Sequence, residues 1–154
     1  RIGGVFGPWE RYTGVRDTLS GPFLTTRAAF MKQNVVLPRP GVKDWVYSRD
    51  IADEIVALLE SSKLNHDVYN LSASDIWTVE DWCKKLTERF EGFQYRVSAS
   101  GRDANIDFFG DDDRSPLNID RLVQDTGFLP RYGLDKSFDD YMQWVRDNPW
   151  TLKL

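Results

Sequence analysis

The chain has 154 residues, a formal net charge of −4, 41% apolar residues and 29% charged residues, which is the composition of one ordinary globular domain. Its 6 tryptophans, 9 phenylalanines and 6 tyrosines, together with the modest net charge, exclude an intrinsically disordered chain. No apolar run is long enough to cross a membrane, and the net acidic charge argues against binding to nucleic acid, which requires a basic face.

The sequence contains one cysteine, Cys83, which excludes an intrachain disulfide and a metal cluster held by several thiolates. Because no signal or transit segment is recognisable, we expect a reducing, cytoplasmic compartment. The chain begins at Arg1 without an initiator methionine, and the residues that follow already have the pattern of a strand. We therefore expect the chain to be a piece of a longer polypeptide.

Short strands and helices are predicted to alternate through the first part of the chain. Residues 2–6 predict a strand that ends at the turn dipeptide Gly7-Pro8. Residues 22–33 predict a helix with a proline in its first turn, and two further short strands are predicted at 35–37 and 42–47.

The next predicted helix begins at Asp50, a residue type that favours the N-cap position. Its apolar side chains form a one-sided stripe, which is typical of a helix that packs against a core. The stripe consists of Ile51, Ile55, Val56, Leu58 and Leu59.

The second half of the chain continues the alternation, which favours an α/β fold over an all-α fold. Thr78 is predicted to cap a helix over 79–90, and Gly127 to close a short helix that begins after Asn118. The remaining predicted elements are strands at 67–71 and 93–97 and a last helix at 136–146.

Three features could carry catalysis or bind a metal, but each has a simpler structural interpretation. His66 is the one histidine that could act as a base in a Ser-His-Asp triad, but it lies in a polar turn, so we interpret it as facing solvent. Cys83 lies on an apolar helix face, which indicates a core thiol. The acidic run 111–113 lacks the ligand spacing of a calcium loop, which favours a solvated turn. We assign no catalytic residue and no metal ligand.

Cationic side chains at element boundaries are candidates for binding an anionic ligand. Arg16, Lys43 and Arg114 each lie near such a boundary, where they could bind a phosphate or a carboxylate or form a surface ion pair. Trp45 and Tyr47 flank Val46 beside Lys43, so their rings could pack in a core or stack on a flat ligand. The sequence contains no Gly-rich loop of the type that binds a dinucleotide between a strand and a helix.

Four segments resemble, in the same order, motifs of the extended short-chain dehydrogenases/reductases, the NAD-dependent epimerase/dehydratase family. Residues 5–8 resemble its Val-Tyr-Gly-Pro stretch, and 42–52 resemble its Val-Arg-Asp-Trp/Phe-x-Tyr-Val-x-Asp-Val/Ala segment. Residues 68–71 are similar to its Tyr-Asn-(Ile/Leu)-Gly strand, and 117–134 to its late helix and the Leu-Gly-(Trp/Phe)-x-Pro turn. Together the four matches span nearly the whole chain.

The resemblance implies that residues 1–154 are the C-terminal, substrate-binding portion of such an enzyme. The expected fold is α/β, with short strands alternating with helices and an incomplete Rossmann sheet. The N-terminal half, which would bind NAD or NADP and carry the catalytic Tyr-x-x-x-Lys, is absent from this sequence. In this family a hydride moves between the cofactor and a sugar carbon, with the tyrosine as the acid and base. We therefore expect the chain alone to be inactive.

The resemblance also implies which residues contact the ligands. Gly3, Gly4 and Val5 fall where the family's strand passes the nicotinamide, although the family has an asparagine in place of Gly4. The expected substrate contacts are Phe23 and Leu24 at a helix start, and Val36 and Leu37 beside the nucleotide base.

Two positions imply contacts to a diphosphate. Lys43 falls where the family has a phosphate-binding arginine, which keeps the charge but loses the bidentate fork. The family's Arg-x-Gly-Asp phosphate motif is matched by residues 108–111, in which Phe108 replaces the arginine. Arg114 could take its place.

The resemblance predicts a nucleotide sugar as the substrate of the full-length enzyme. Two alternatives stay open: a non-catalytic module that keeps only the ligand cleft, and a reductase of a non-sugar carbonyl compound, which Gly4 and Phe108 suggest. We also expect the strand at 2–6, without its usual neighbours, to pair with a second copy of the chain, or else to be displaced or disordered.

Overall fold

The computed structural model describes residues 1–15, 18–73, 75–107 and 113–153. Within these residues the chain forms short strands and helices in alternation, as the sequence predicts. No helix there combines the length and the apolar character needed to cross a bilayer. The elements, in chain order, are β1 (Gly4–Phe6), α1 (Gly21–Phe30), β2 (Val35–Leu37), β3 (Val42–Lys43), β4 (Trp45–Tyr47), α2 (Ser48–Glu60), β5 (Trp77–Thr78), α3 (Val79–Arg89), β6 (Tyr95–Val97), α4 (Asp120–Thr126), α5 (Leu134–Asp147) and a 3-10 helix (Pro149–Leu152).

The described strands pair two by two, which confirms the predicted α/β fold with small, incomplete sheets. β1 runs parallel to β4, with Gly4 opposite Trp45 and Phe6 opposite Tyr47. β2 runs parallel to β6, and β3 runs antiparallel to β5. The predicted strand at 42–47 is thus two strands, β3 and β4, which belong to different sheets.

The first strand pairs within the chain and changes its partner along its length. The amide of Gly3 donates to the carbonyl of Leu71 at 3.0 Å, whereas the amide of Gly4 donates to the carbonyl of Asp44 at 2.7 Å. β1 is therefore neither displaced nor left without a partner. The strand predicted at 67–71 is reduced to a single bridge between Ile2 and Leu71, because β1 turns to β4 after Gly3.

The main core is a cluster of aromatic rings centred on Phe6, the last residue of β1. The ring of Phe6 is 1% exposed, and its centroid lies 5.2–6.5 Å from those of five other aromatic rings. Most of these pairs are edge-on, a favourable geometry for aromatic side chains. The five rings belong to Trp45, Tyr47, Trp77, Trp82 and Tyr141.

Helix α2 leaves much of its predicted apolar stripe uncovered. Ile51 is buried in a second, smaller core with Val46 and Leu122, and Leu58 packs against that core. Ile55, Val56 and Leu59 are exposed by 40%, 47% and 79%.

The predicted cap at Asp50 is wrong, because α2 begins earlier, at Ser48, and follows Tyr47. Asp50 lies in the first turn and is completely buried. Its carboxylate accepts hydrogen bonds from the amides of Arg131 and Tyr132 at 3.0 and 2.9 Å, so it joins α2 to the turn before α5. This long-range role could not be predicted from the local sequence.

Two other predicted helix ends can be compared directly. Thr78 caps α3, as predicted, in a reciprocal capping box with Asp81. The cap predicted at Asn118 is displaced: α4 begins at Asp120, and Asn118 accepts a hydrogen bond from the Asp120 amide at 2.8 Å. Gly127 ends α4 with φ of 70°, as predicted for a left-handed C-terminal residue.

Replacing Thr78 by alanine should lower the free energy of unfolding by about 1 kcal/mol, because Thr78 Oγ1 accepts a hydrogen bond from the Asp81 amide and donates one to the Asp81 carboxylate, and both are lost. The midpoint of thermal unfolding should fall by about 2–4 °C. Thr87→Ala is the matched control, because that hydroxyl only donates to the Cys83 carbonyl within the same helix. Equal losses in the two variants would contradict the capping role.

Candidate ligand-binding cleft

An open cleft lies beside β1. Gly4 and Val5 form one wall, β3 and the turn before it form another, and the segment 18–21 at the start of α1 forms a third. An adjoining recess is also lined by Gly4 and Val5 and extends to Gly3 and Asp44. The cleft therefore lies where β1, β3 and α1 converge.

The side chain of Lys43 extends across β1 and packs against Gly4. A Cβ atom built on Gly4 would lie 3.2 Å from both Cδ and Cε of Lys43 and 3.1 Å from the carbonyl oxygen of Asp44. The ammonium group of Lys43 lies 5.1 Å from the ring centroid of Trp45, in the range of a cation–π interaction. The absence of a side chain at Gly4 is what allows Lys43 to take this path.

Trp45 and Tyr47, the two candidate stacking residues, differ in their access to the cleft. Tyr47 is fully buried, and its hydroxyl donates to Asp140 at 2.6 Å. Burial and the neighbouring Asp140 carboxylate raise the pKa of Tyr47 above its ordinary value. Trp45 is also mostly buried, but it borders the cleft, and its indole N–H donates to the Gly41 carbonyl at 3.3 Å.

Two arginines join Lys43 around the cleft. Arg39 pairs with Asp113, with 3.2 Å between Nε and Oδ1. Arg114 is exposed, and its backbone amide donates to the Val42 carbonyl at 3.3 Å, which holds residues 113–115 alongside β3. The Arg114 guanidinium forms no ion pair with any residue in the described ranges.

The start of α1 is fixed to the cleft by a buried acid. Glu10 accepts hydrogen bonds from the amide and the hydroxyl of Ser20, at 2.7 and 2.6 Å. Ser20 in turn caps α1 by accepting from the Phe23 amide at 3.1 Å. This arrangement directs the backbone at Ser20 and Gly21 toward the cleft and the side chain of Phe23 into the core.

The structure brings some of the sequence-predicted site residues together and separates others. The predicted residues that it brings together around the cleft and its adjoining recess are Gly3, Gly4, Val5, Lys43 and Arg114.

The predicted substrate contacts Phe23 and Leu37 are 0% exposed and belong to the main core, so their side chains offer no surface to a ligand. Leu24 packs against that core and, like the partly buried Val36, does not line the cleft. The reason is that α1 directs Phe23 and Leu24, and β2 directs Leu37, toward the main core, whereas Val36 lies on the opposite face of β2. Arg16 and the motif at 108–111 lie outside the described residues.

Arg39 and the segment 18–21 also line the cleft, although they are not among the residues that the sequence predicts there. The available signal for Arg39 was its position between Pro38 and Pro40, because prolines on both sides restrict the backbone and hold a side chain in place. For Ser20 and Gly21 the signal was the Ser-Gly-Pro helix start, which exposes backbone rather than side chains.

The two other candidate reactive residues lie away from the cleft. His66 is half-buried, with its ring against Tyr69. Cys83 is completely buried, and burial raises the pKa of its thiol to about 12, so the thiol stays protonated at neutral pH. Among the residues that the structure describes, no group of three or more His, Cys, Asp or Glu side chains could hold a metal ion.

No protein-family model and no curated protein sequence matches the chain. Solved structures do match its fold. ADP-L-glycero-D-manno-heptose-6-epimerase from Helicobacter pylori matches 95% of the chain over 43% of its own length, at 21% identity and a TM-score of 0.72. UDP-glucose 4-epimerase from Thermotoga maritima, solved with UDP-glucose, matches 97% over 45%, at 19% identity and a TM-score of 0.73.

A third match is UDP-glucuronic acid 4-epimerase from Bacillus cereus, solved with UDP-glucuronic acid and NAD. It matches 96% of the chain over 44% of its own length, at 15% identity and a TM-score of 0.70. The chain thus spans less than half the length of these enzymes. The prediction from the sequence resemblance is confirmed at the level of fold: the chain shares the α/β fold of less than half of each of these solved epimerases.

Replacing Gly4 by alanine should lower the free energy of unfolding by about 1–3 kcal/mol, because the new methyl group meets the Asp44 carbonyl and the Lys43 side chain. In a Lys43→Ala background the same replacement should cost less, because one of the two obstacles is gone. Lys63→Ala is the control background, in which the full cost should remain. Denaturant unfolding of the set checks this, and strict additivity of Gly4→Ala with Lys43→Ala would contradict the contact.

Proposed function

We propose that this chain, which has the fold of the C-terminal part of an extended short-chain dehydrogenase/reductase, forms the substrate-binding wall of an NAD-dependent epimerase/dehydratase-like oxidoreductase. The proposed substrate is a nucleotide sugar, bound in the cleft beside β1. The observation that carries the proposal is the convergence of Arg39, Lys43 and Arg114 around this cleft, next to a strand start made of two glycines.

The charge around the cleft suits a diphosphate. Three cationic side chains line it, and Asp107 is the one acidic residue beside them among the described lining residues. Arginine binds phosphate oxygens through a planar fork, whereas lysine acts as a point charge. Arg114, which forms no ion pair with the described residues, is the group best placed to gain an anionic partner.

The start of β1 lines the cleft, although Lys43 and Asp44 occupy the space beside Gly3 and Gly4 on the side where a side chain would project. In this proposal Gly3, Gly4 and Val5 border the nicotinamide of NAD or NADP, which another part of a longer protein would bind. Val5 lines both recesses and is only half-buried, so it offers an apolar surface to a ring. A bound cofactor would exchange a hydride with a sugar carbon, and we assign no acid or base for that step to this chain.

The uncovered face of α2 supports the view that more polypeptide packs here. Ile55, Val56 and Leu59 are exposed on a helix that packs on β1 and β4, the strands next to the cleft. An apolar face of this kind is normally buried against another element. Its cover would be the cofactor-binding part of a longer protein or a second copy of the chain.

Two observations favour the alternative functions. The chain forms its own core and a cleft with several walls, which is also what a non-catalytic ligand-binding module needs. Lys43 and the Asp44 carbonyl fill the space where an asparagine side chain would start at Gly4, which favours a reductase of a non-sugar carbonyl. An in-frame upstream segment with a Gly-rich loop and Tyr-x-x-x-Lys would select the enzyme, and a start codon close to Arg1 would select the module.

Lys43→Met and Arg114→Met should each weaken the binding of uridine diphosphate about tenfold, because each removes a charge-assisted contact to a phosphate oxygen. Isothermal titration calorimetry at low ionic strength measures the two affinities. Lys63→Met, which removes an exposed lysine outside the cleft, is the matched control and should bind as the unaltered chain does. Equal affinities of all three variants for uridine diphosphate would show that Lys43 and Arg114 do not bind the diphosphate in this cleft.

The chain alone should turn over no nucleotide sugar, because the proposal places the nicotinamide and its acid–base groups on other residues. The assay mixes the chain with NAD and UDP-glucose and follows NADH absorbance and the sugar products. The intact Thermotoga maritima epimerase serves as the positive control for the assay. Turnover by the chain would show that its own residues carry the chemistry.

A further inference from the structure

Three carboxylic acids are buried together behind the cleft, and one of them is poorly satisfied. Asp44 and Asp50 each accept two hydrogen bonds, at 2.5–3.0 Å. Glu54, which is 0% exposed, accepts one long hydrogen bond, from the Ser72 amide to Oε1 at 3.3 Å. Its second oxygen, Oε2, is buried with no hydrogen-bond partner among the described residues.

Ser72 connects Glu54 with the wall of the cleft. Its amide donates to Glu54, and its hydroxyl donates to Asp44 Oδ1 at 2.5 Å. The other oxygen of Asp44 accepts from the Leu117 amide at 2.9 Å. Leu117 ends the segment that begins at Asp113 and carries Arg114 along the cleft. A chain of hydrogen bonds therefore runs from α2 to a residue next to the proposed ligand site.

The charges around Glu54 oppose a negative charge on it. Burial and the negative neighbours Asp50 and Asp44 raise the pKa of Glu54, which the Ser72 amide only partly offsets, to about 8. No cation acts on it from the described elements. The charged groups named here on α2 and α4 have other partners or face solvent. Asp53 pairs with Arg131, and Asp125 accepts hydrogen bonds from Tyr69 and Asn65. The Arg121 guanidinium donates to the Val68 carbonyl, and Asp120 is exposed.

We propose that Glu54 is a proton-operated latch on the cleft wall. In its protonated, neutral form it lies beside Asp44 and Asp50 without adding a charge, and Ser72 holds both α2 and Asp44. When the Glu54 carboxyl gives its proton to water, a third buried negative charge arises and the unpartnered oxygen must be solvated. The Ser72–Asp44 contact then loosens, and with it the Leu117 hydrogen bond that positions the segment of Arg114.

The latch predicts a pH dependence of stability with a defined sign. The folded-state pKa of Glu54 lies above the ordinary value of 4.5, so its stabilisation is fully present below about pH 4.5. That stabilisation is lost as the pH rises to about 8 and stays lost above it. Glu54→Gln should therefore melt about 5 °C above the unaltered chain at pH 8.5, with the difference vanishing below about pH 4.5. Glu60→Gln, an exposed acid at the end of the same helix, is the matched control and should show no such difference.

A second measurement follows the wall itself and needs no ligand, so its outcome is independent of the proposed function. At pH 8.5 the Leu117 amide should exchange with solvent about fivefold faster in the unaltered chain than in Glu54→Gln, and equally fast in both at pH 6. Nuclear magnetic resonance with solvent-exchange detection measures the exchange rate of the Leu117 amide in the two proteins at matched pH. Identical exchange at both pH values would overturn the latch.

Titration of the unaltered chain covers the case in which Glu54→Gln does not fold. The carboxyl carbon of Glu54, followed by its chemical shift, should titrate near pH 8, and the amide shifts of Ser72 and Leu117 should follow the same curve. Titration of Glu54 near pH 4.5, or amide shifts that do not follow it, would overturn the proposal.

Discussion

The packing of the Phe6 ring among five other aromatic rings is the constraint on which the rest of the structure depends. Phe6 is the last residue of β1, so its burial fixes the end of the strand whose beginning lines the cleft. Loss of a buried phenylalanine ring costs about 3–5 kcal/mol, a large part of the 5–15 kcal/mol that separates folded from unfolded domains. The position of Gly3 and Gly4 relative to β4 is therefore set by hydrophobic packing a few residues away.

The cleft depends on residues that are small or rigid rather than on reactive ones. Gly4 has no side chain, so Lys43 can cross β1, and Pro38 and Pro40 restrict the turn that carries Arg39. The buried Glu10 fixes the loop before α1 through Ser20. These contacts position the cationic groups before any ligand arrives, which reduces the entropy that binding must overcome.

The sequence predicted the features that depend on near neighbours and missed those that depend on distant ones. The Thr78–Asp81 capping box and the left-handed Gly127 are local, and both are confirmed. Asp50 has a suitable local pattern for a cap, but its carboxylate binds amides of residues 131 and 132, which no local pattern indicates. The motif positions of Phe23 and Leu37 predict contacts with the ligand, and the structure places both side chains in the main core. The lining of the cleft was predicted only in part, because the position of Arg39 depends on the backbone conformation of the turn that contains it.

The central claim is that the cleft beside β1 is the place where a nucleotide sugar binds. The most direct test is an amide chemical-shift map of the isotope-labelled chain titrated with UDP-glucose. If a nucleotide sugar binds there, the largest shifts fall on Gly4, Val5 and Lys43 and on the indole N–H of Trp45, which line the cleft. Shifts confined to another surface, such as the exposed tryptophans Trp9 and Trp150, or no shifts at millimolar ligand, would contradict it.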